Sequence, residues 1–189
     1  MTDTISMLRK RRSVPPLALG GPGPDAAQLQ ALLTLGARVP DHGKLAPWRF
    51  IVFEGDARLR AGEIIAGVFA ADNPAADADK VATERKRLAL APLVIGVVSR
   101  AAPHVKIPEW EQFMSAGAAC MNIVVAANAM GFGASWLTQW YAYDRRVLEA
   151  FGLMAHEKMA GFIHVGRATA VIEDRARPDL TGIVTRFEG

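Results

Sequence analysis

The sequence predicts one domain of the α/β or α+β class, built around a mainly central sheet. Segments with helical spacing of apolar residues alternate along the chain with apolar runs of strand length. One run, Pro92-Leu93-Val94-Ile95-Gly96-Val97-Val98, is continuously apolar, which marks a strand covered on both faces. With 189 residues, 51% hydrophobic and 22% charged, the chain has enough material for one proper core. No GxGxxG follows the first strand and no GxxxxGK[ST] occurs anywhere, so neither a Rossmann fold nor a P-loop is supported.

Each element has its own local signal. Thr4 to Arg12 reads as a short helix stopped by Ser13 and the prolines behind it. Gly20 to Pro24 is a loop. Asp25 is a good N-cap for a helix reaching Arg38, with Leu29, Leu32, Leu33 and Ala37 at helical spacing. After a connection rich in proline and charge, Arg49 to Phe53 is a strand ending at Glu54-Gly55. Two helices follow, Ala57 to Ala70 and Ala78 to Ala89, and then the apolar strand at 92–98. The longest helix runs from Glu109 to Met130, and its Ser115-Ala116-Gly117-Ala118-Ala119 stretch permits close helix approach, as at a dimer interface or in a monomer core. Gly131-Phe132-Gly133 caps it, the glycines suiting a left-handed turn. Ala134 to Leu137 is a brief strand, Asp144 to Phe151 a short helix and Met159 to Gly166 the last core strand. Arg167 to Gly189 carries no regular pattern and either hangs free or wraps a partner.

Composition narrows the function. A formal charge of +3, with scattered basic residues, suits an anionic small molecule better than nucleic acid. Cys120 is the single cysteine and falls in an alanine-rich helix, where a buried, inert thiol is expected. The four histidines lack metal-ligand spacing, so a metal site is not expected. No segment approaches the roughly 18 apolar residues of a membrane span, and the basic N-terminus lacks the apolar run of a signal peptide. A cytoplasmic protein is expected.

Three clusters can carry chemistry. Arg11, Arg12 and Ser13 close the first helix, where two guanidiniums and a hydroxyl can grip a phosphate; they would equally serve as a solvated helix end. The segment Arg38-Val39-Pro40-Asp41-His42-Gly43-Lys44-Leu45-Ala46-Pro47-Trp48-Arg49-Phe50 concentrates charge and rigidity at one helix-to-strand junction. A flavin-like heterocycle needs donors at its carbonyl edge, a role for His42, and positive charge where reduction deposits negative charge, a role for Arg38 or Lys44. Trp136, Leu137 and Thr138, followed by Gln139, Trp140, Tyr141 and Tyr143, offer stacking surface for an aromatic ligand or a core corner. No GxSxG or spaced carboxylate pair supports acyl-transfer or glycosidase chemistry.

Lys10-Arg11-Arg12-Ser13, Ala37-Arg38-Val39-Pro40-Asp41-His42, Pro47-Trp48-Arg49-Phe50 and Gly131-Phe132-Gly133-Ala134-Ser135-Trp136, in this order, resemble the nitroreductase family, especially its minimal members. Trp110-Glu111-Gln112 and Met114-Ser115-Ala116-Gly117 extend the resemblance, which runs from about Ser6 to Phe187. It implies an α+β fold with a central, mostly antiparallel sheet flanked by helices, in an intertwined homodimer with FMN at the interface. By the same resemblance Arg11, Arg12 and Ser13 hold the FMN phosphate and ribityl chain, and Trp136, Leu137 and Thr138 line the flavin. Arg38 and His42 reach it from the partner subunit, and the 168–189 tail crosses onto that partner. The implied activity passes hydride from NAD(P)H through the flavin to nitroaromatic, quinone or related small-molecule acceptors by a ping-pong scheme. No side chain is expected as an obligatory acid or base. The alternative is a flavin-binding or flavin-processing protein without that turnover. The chain departs from the family at Val14-Pro15-Pro16, at Ala46 and at Leu137; Arg167 is a candidate to restore charge at the phosphate.

Overall fold

The computed structural model describes residues 3–189. Five strands form one sheet: β1 (Leu19–Gly20), β5 (Lys158–Ala168), β3 (Leu93–Ser99) and β2 (Trp48–Glu54) in that order, with β4 (Gly133–Leu137) also paired to β5. All four ladders are antiparallel, and a single parallel bridge joins Ser13 to Ala134. The mostly antiparallel α+β architecture is therefore present. Every residue of β3 is buried, as its unbroken apolar run requires, because helices cover both faces of the sheet.

One face packs against α5 (Glu109–Ala129) and α2 (Ala26–Gly36): Ile95, Val97, Ile163 and Val165 meet Ala116-side residues Ala119, Ile123 and Ala127 of α5 and Leu32 of α2. The opposite face packs Phe53, Val94, Val98 and Phe162 against α3 (Asp56–Asp72), α6 (Arg145–Ala150) and the turn Trp140–Ala142. The helix α4 (Ala78–Arg85) lies on α3, where Gly62 lets the Arg85 carbonyl approach so closely that any Cβ would overlap it. The small residues of α5 thus serve the monomer core on one side, where Ser115, Ala116 and Ala119 are buried. Trp110, Met114, Gly117, Ala118 and Met121 remain on its outer side, half-buried or exposed.

Several boundaries differ from expectation for identifiable reasons. The first helix, α1 (Thr4–Lys10), ends two residues early because Arg11 already turns to extended backbone and Ser13 joins β4. Asp25 caps α2 through a full capping box with Gln28, but the helix stops at Gly36 rather than Arg38. The loop expected from Gly20 begins one residue later, since Leu19 and Gly20 pair with Ala168 and Arg167. The helix expected to Ala89 ends at Arg85, followed by a turn. Only Gly131 is left-handed (φ 79°) at the end of α5. Gly133 instead opens β4, where a Cβ would stand 2.9 Å from both Val14 and Leu19 side chains.

Candidate functional site

The end of α1 is carried to the sheet by backbone bonds: Ser13 bridges Ala134, and the Val14 amide donates to the Ala134 carbonyl at 3.0 Å. Arg11, Arg12 and Ser13 then line a small cavity of about 130 Å³, closed from the other side by Arg175 and Arg177 of the tail. Arg12 donates to the Glu173 carbonyl and reaches Asp174 at 3.3 Å; Arg177 reaches the same carboxylate at 3.2 Å. The Arg175 backbone amide, with Arg177 and Arg12 nearby, holds the Asp174 carboxyl below its usual range. Four arginines line the cavity and only Arg12 and Arg177 reach a carboxylate, Asp174, which leaves a net positive cradle of the kind that can hold a phosphate dianion. Arg167, the expected supplement, is not in it. Its guanidinium lies 4.2 Å over the Phe132 ring and donates to the Gly131 carbonyl, where it closes the end of α5. Arg175 and Arg177 were missed in the sequence because nothing in an irregular tail says where it folds.

Two residues beyond the Ser13 bridge partner, Trp136 leaves β4 with 40% of its surface exposed. Its indole Nε1 donates to the Ala160 carbonyl at 3.1 Å and its ring lies directly on Gly161, where a Cβ would overlap Nε1. Gly117 of α5 faces the other ring edge with open room, since a Cβ there would stand 4.0 Å from the ring. Leu137 is half-buried and Thr138 exposed at the strand's end. The structure therefore brings Arg11, Arg12 and Ser13 to the same sheet edge as Trp136, Leu137 and Thr138: a positive cradle beside a flat indole.

Arg38 and His42 lie elsewhere, on the loop that α5 holds. Asn122 donates to the Leu35 and Arg38 carbonyls, both at 2.9 Å, leaving the Arg38 side chain exposed. Ser115 donates to the Pro40 carbonyl at 2.6 Å and accepts from Trp48 Nε1 at 3.0 Å, tying both ends of the junction to one hydroxyl. His42 Nδ1 sits 2.8 Å from Glu111, a partner that sequence spacing does not reveal. Gly43, Lys44 and Ala46 all have positive φ (71°, 57° and 44°), so this turn holds non-glycine residues in a conformation they rarely adopt. Its neighbours over-determine it, with the Ala46 amide donating to Asp41 and the Lys44 amide to the Asp41 carbonyl. Among the described residues, no hydrogen bond or ion pair links this loop to the arginine cradle or to Trp136.

Two buried groups take no part in this surface. Burial pushes the Cys120 thiol up to about 12, so it is an inert core group as expected. His164 is fully buried in β5 with neither ring nitrogen paired, and burial holds its pKa down at about 4.

A sheet with helices on both faces, an arginine-lined cavity at its edge and an exposed indole on the neighbouring strand define the class: an α+β protein with a cationic, part-aromatic sheet edge. The comparisons give that class its family. The Nitroreductase family model matches residues 8–167, and the chain belongs to the nitroreductase family, and so to the oxidoreductases. It is 38% identical to the "Putative NAD(P)H nitroreductase YdjA" of Escherichia coli K12 over 98% of this chain and 100% of that protein. It is 32% identical to a Haemophilus influenzae protein carrying the same description without the gene name, over 93% of this chain and 94% of the other. The fold superposes on a nitroreductase-like family protein of Bacillus cereus with a TM-score of 0.83 at 22% identity, covering 100% and 98% of the two chains. A nitroreductase from Bacteroides fragilis with bound FMN gives a TM-score of 0.72, also at 22% identity, covering both chains fully.

Proposed function

We propose that this chain is an FMN-dependent oxidoreductase that takes electrons from NAD(P)H and delivers them to nitroaromatic, quinone or related acceptors. The single observation that carries this reading is that the four-arginine cavity and the exposed Trp136 indole lie on one sheet edge, joined through the Ser13–Ala134 bridge. The cradle fits a phosphate dianion and the indole a planar ring, the two ends of a flavin mononucleotide. When bound, FMN would supply reversible two-electron chemistry between the nicotinamide and the acceptor. The chain's own residues bind and orient: Arg11, Arg12, Ser13, Arg175 and Arg177 fix the phosphate, and Trp136, Leu137 and Thr138 form a wall. Donor and acceptor take turns at one exposed face, which gives a ping-pong scheme.

The second wall comes from a partner subunit in this proposal. Neither Arg38 nor His42 lines the cradle of its own chain, and the α5 surface beside His42 carries Trp110, Met114 and Ala118. The tail also exposes Leu180, Ile183, Val184 and Phe187, a poor arrangement for an isolated monomer in water. Pairing α5 with its copy would cover these residues and bring His42 and Arg38 to the neighbouring flavin.

The purified protein should be yellow, should run as a dimer and should bleach anaerobically with NADH or NADPH. Arg11→Ala should weaken FMN retention far more than it lowers the melting temperature of the flavin-free protein. A colourless protein that takes up no FMN would sink the proposal. Stable FMN binding with negligible NAD(P)H oxidation would replace it by a flavin carrier of the same fold.

A further inference from the structure

Between β5, α5 and the turn before α6 lies a cavity of about 510 Å³. It meets the indole at Ala160, whose carbonyl accepts the Trp136 Nε1 hydrogen bond. Its walls are mainly apolar and aromatic, with Phe113, Tyr143, Leu148 and Met159 prominent. A volume of that order is that of a small-molecule site.

Three charged side chains line the cavity, and two have no freedom. Arg145 spends its donors on Glu149 and on the carbonyls of Leu153, Met154 and Glu157, so it is a brace for the 153–157 turn. Glu157 is 3% exposed; it receives two bonds from Arg49 and one from the Met154 amide, with Arg100 at 3.7 Å. Lys158 is different. It is exposed, has no ion-pair partner among the described residues, and its ammonium hangs 5.0 Å from the Phe113 ring centre. Around the cavity, Arg49, Arg100, Arg145 and Lys158 outnumber the carboxylates of Glu149 and Glu157, so its field repels cations and favours anions.

We propose that this cavity binds a small aromatic carboxylate, with the ring against Phe113 and Tyr143 and the carboxylate paired to the Lys158 ammonium. Neither Trp136 nor any cradle residue lines this cavity, so the ligand sits apart from the face at which donor and acceptor would take turns, and the site does not depend on the flavin reading. A neutral ring would bury apolar surface but leave Lys158 without its counter-charge, so discrimination comes from the charge-assisted bond.

The probes are 4-nitrobenzoate and its neutral isostere 4-nitrobenzamide, titrated calorimetrically into the purified protein at low salt. The benzoate should bind about tenfold more tightly, the scale of one charge-assisted contact. Lys158→Gln, on an exposed strand end, should erase that preference while leaving benzamide binding unchanged. Ala155→Trp, at the exposed rim, should abolish binding of both probes by filling the cavity. Equal affinities in the wild type, or a preference that survives Lys158→Gln, would overturn the assignment. The visible spectrum of the same samples tests the flavin reading separately, and the benzoate preference is expected with or without bound flavin.

Discussion

His164 should make this protein acid-sensitive in a window that no surface group explains. It lies in the middle of β5, facing Val94 of β3 and Ser135 of β4, with 0% exposure and both ring nitrogens unpaired. A charged imidazole there would be desolvated without compensation, which lowers its pKa from 6.5 to about 4. The unfolded chain therefore binds a proton as pH falls through 6.5, whereas the folded chain refuses it until about 4. Stability from this group is complete above 6.5, declines as pH falls, and is exhausted below about 4. At pH 4.5 the difference between the two titrations amounts to about 2–3 kcal/mol, a large share of a typical 5–15 kcal/mol. The test is urea unfolding of wild type and His164→Leu at pH 7.5, 6.5, 5.5 and 4.5. Leucine fills nearly the same volume and removes two unpaired polar atoms, so its stability at pH 7.5 should equal or exceed that of wild type. Its loss between pH 7.5 and 4.5 should be smaller by about 2–3 kcal/mol. Other groups titrate equally in both proteins and cancel in the comparison. Identical pH slopes for the two proteins would show that the imidazole finds a partner, and the reasoning from burial would fail.

Three further substitutions probe the site and its scaffold. Gly161→Ala should push the Trp136 indole off the sheet and break its bond to Ala160, at a cost of about 1–3 kcal/mol, read by urea unfolding and tryptophan fluorescence. On the flavin reading it should also lower FMN affinity more than Gly117→Ala, which has open space. Glu157→Gln should destabilise by about 3 kcal/mol, because Arg49 and Arg100 lose the carboxylate that they share. Those bonds hold the Glu157 carboxyl at about 2 against 4.5 when free, so its contribution is present above pH 4.5 and fades toward pH 2; a wild-type acid limb absent from the variant is the signature. Gly62→Ala should force α4 away from α3 and lower the melting temperature, since the new Cβ would overlap the Arg85 carbonyl oxygen.

The site was legible in its parts and illegible in its assembly. Arg11-Arg12-Ser13 suggests an anion grip by residue type, with a solvated helix end as the alternative, and the bridge from Ser13 to Ala134 carries it to the β4 edge. Yet Arg175 and Arg177 sit more than 160 residues away in a tail without pattern, and no periodicity could bring them to the cradle. Arg167 looked like the natural supplement by position but is committed to Phe132 and Gly131. The junction at 38–50 stood out for its charge, but its conformation rests on Ser115, Asn122 and Glu111, each reached only by folding α5 against it.

The sequence alone determined the element order, the buried central strand and the local grips. Helical spacing, an unbroken apolar run, an Asp25-Gln28 capping box and a left-handed glycine at 131 are properties of neighbouring residues. Tertiary structure decided which strands pair, that β5 runs between β1, β3 and β4, and which distant cations converge on one cavity. It also decided that Lys158 faces a cavity free of ion-pair partners among the described residues, while Arg145 and Glu157 beside it are spent on the scaffold. The physical reason is range. Propensity and capping act over one or two turns, whereas ion pairing and burial depend on partners that only the closed sheet brings together.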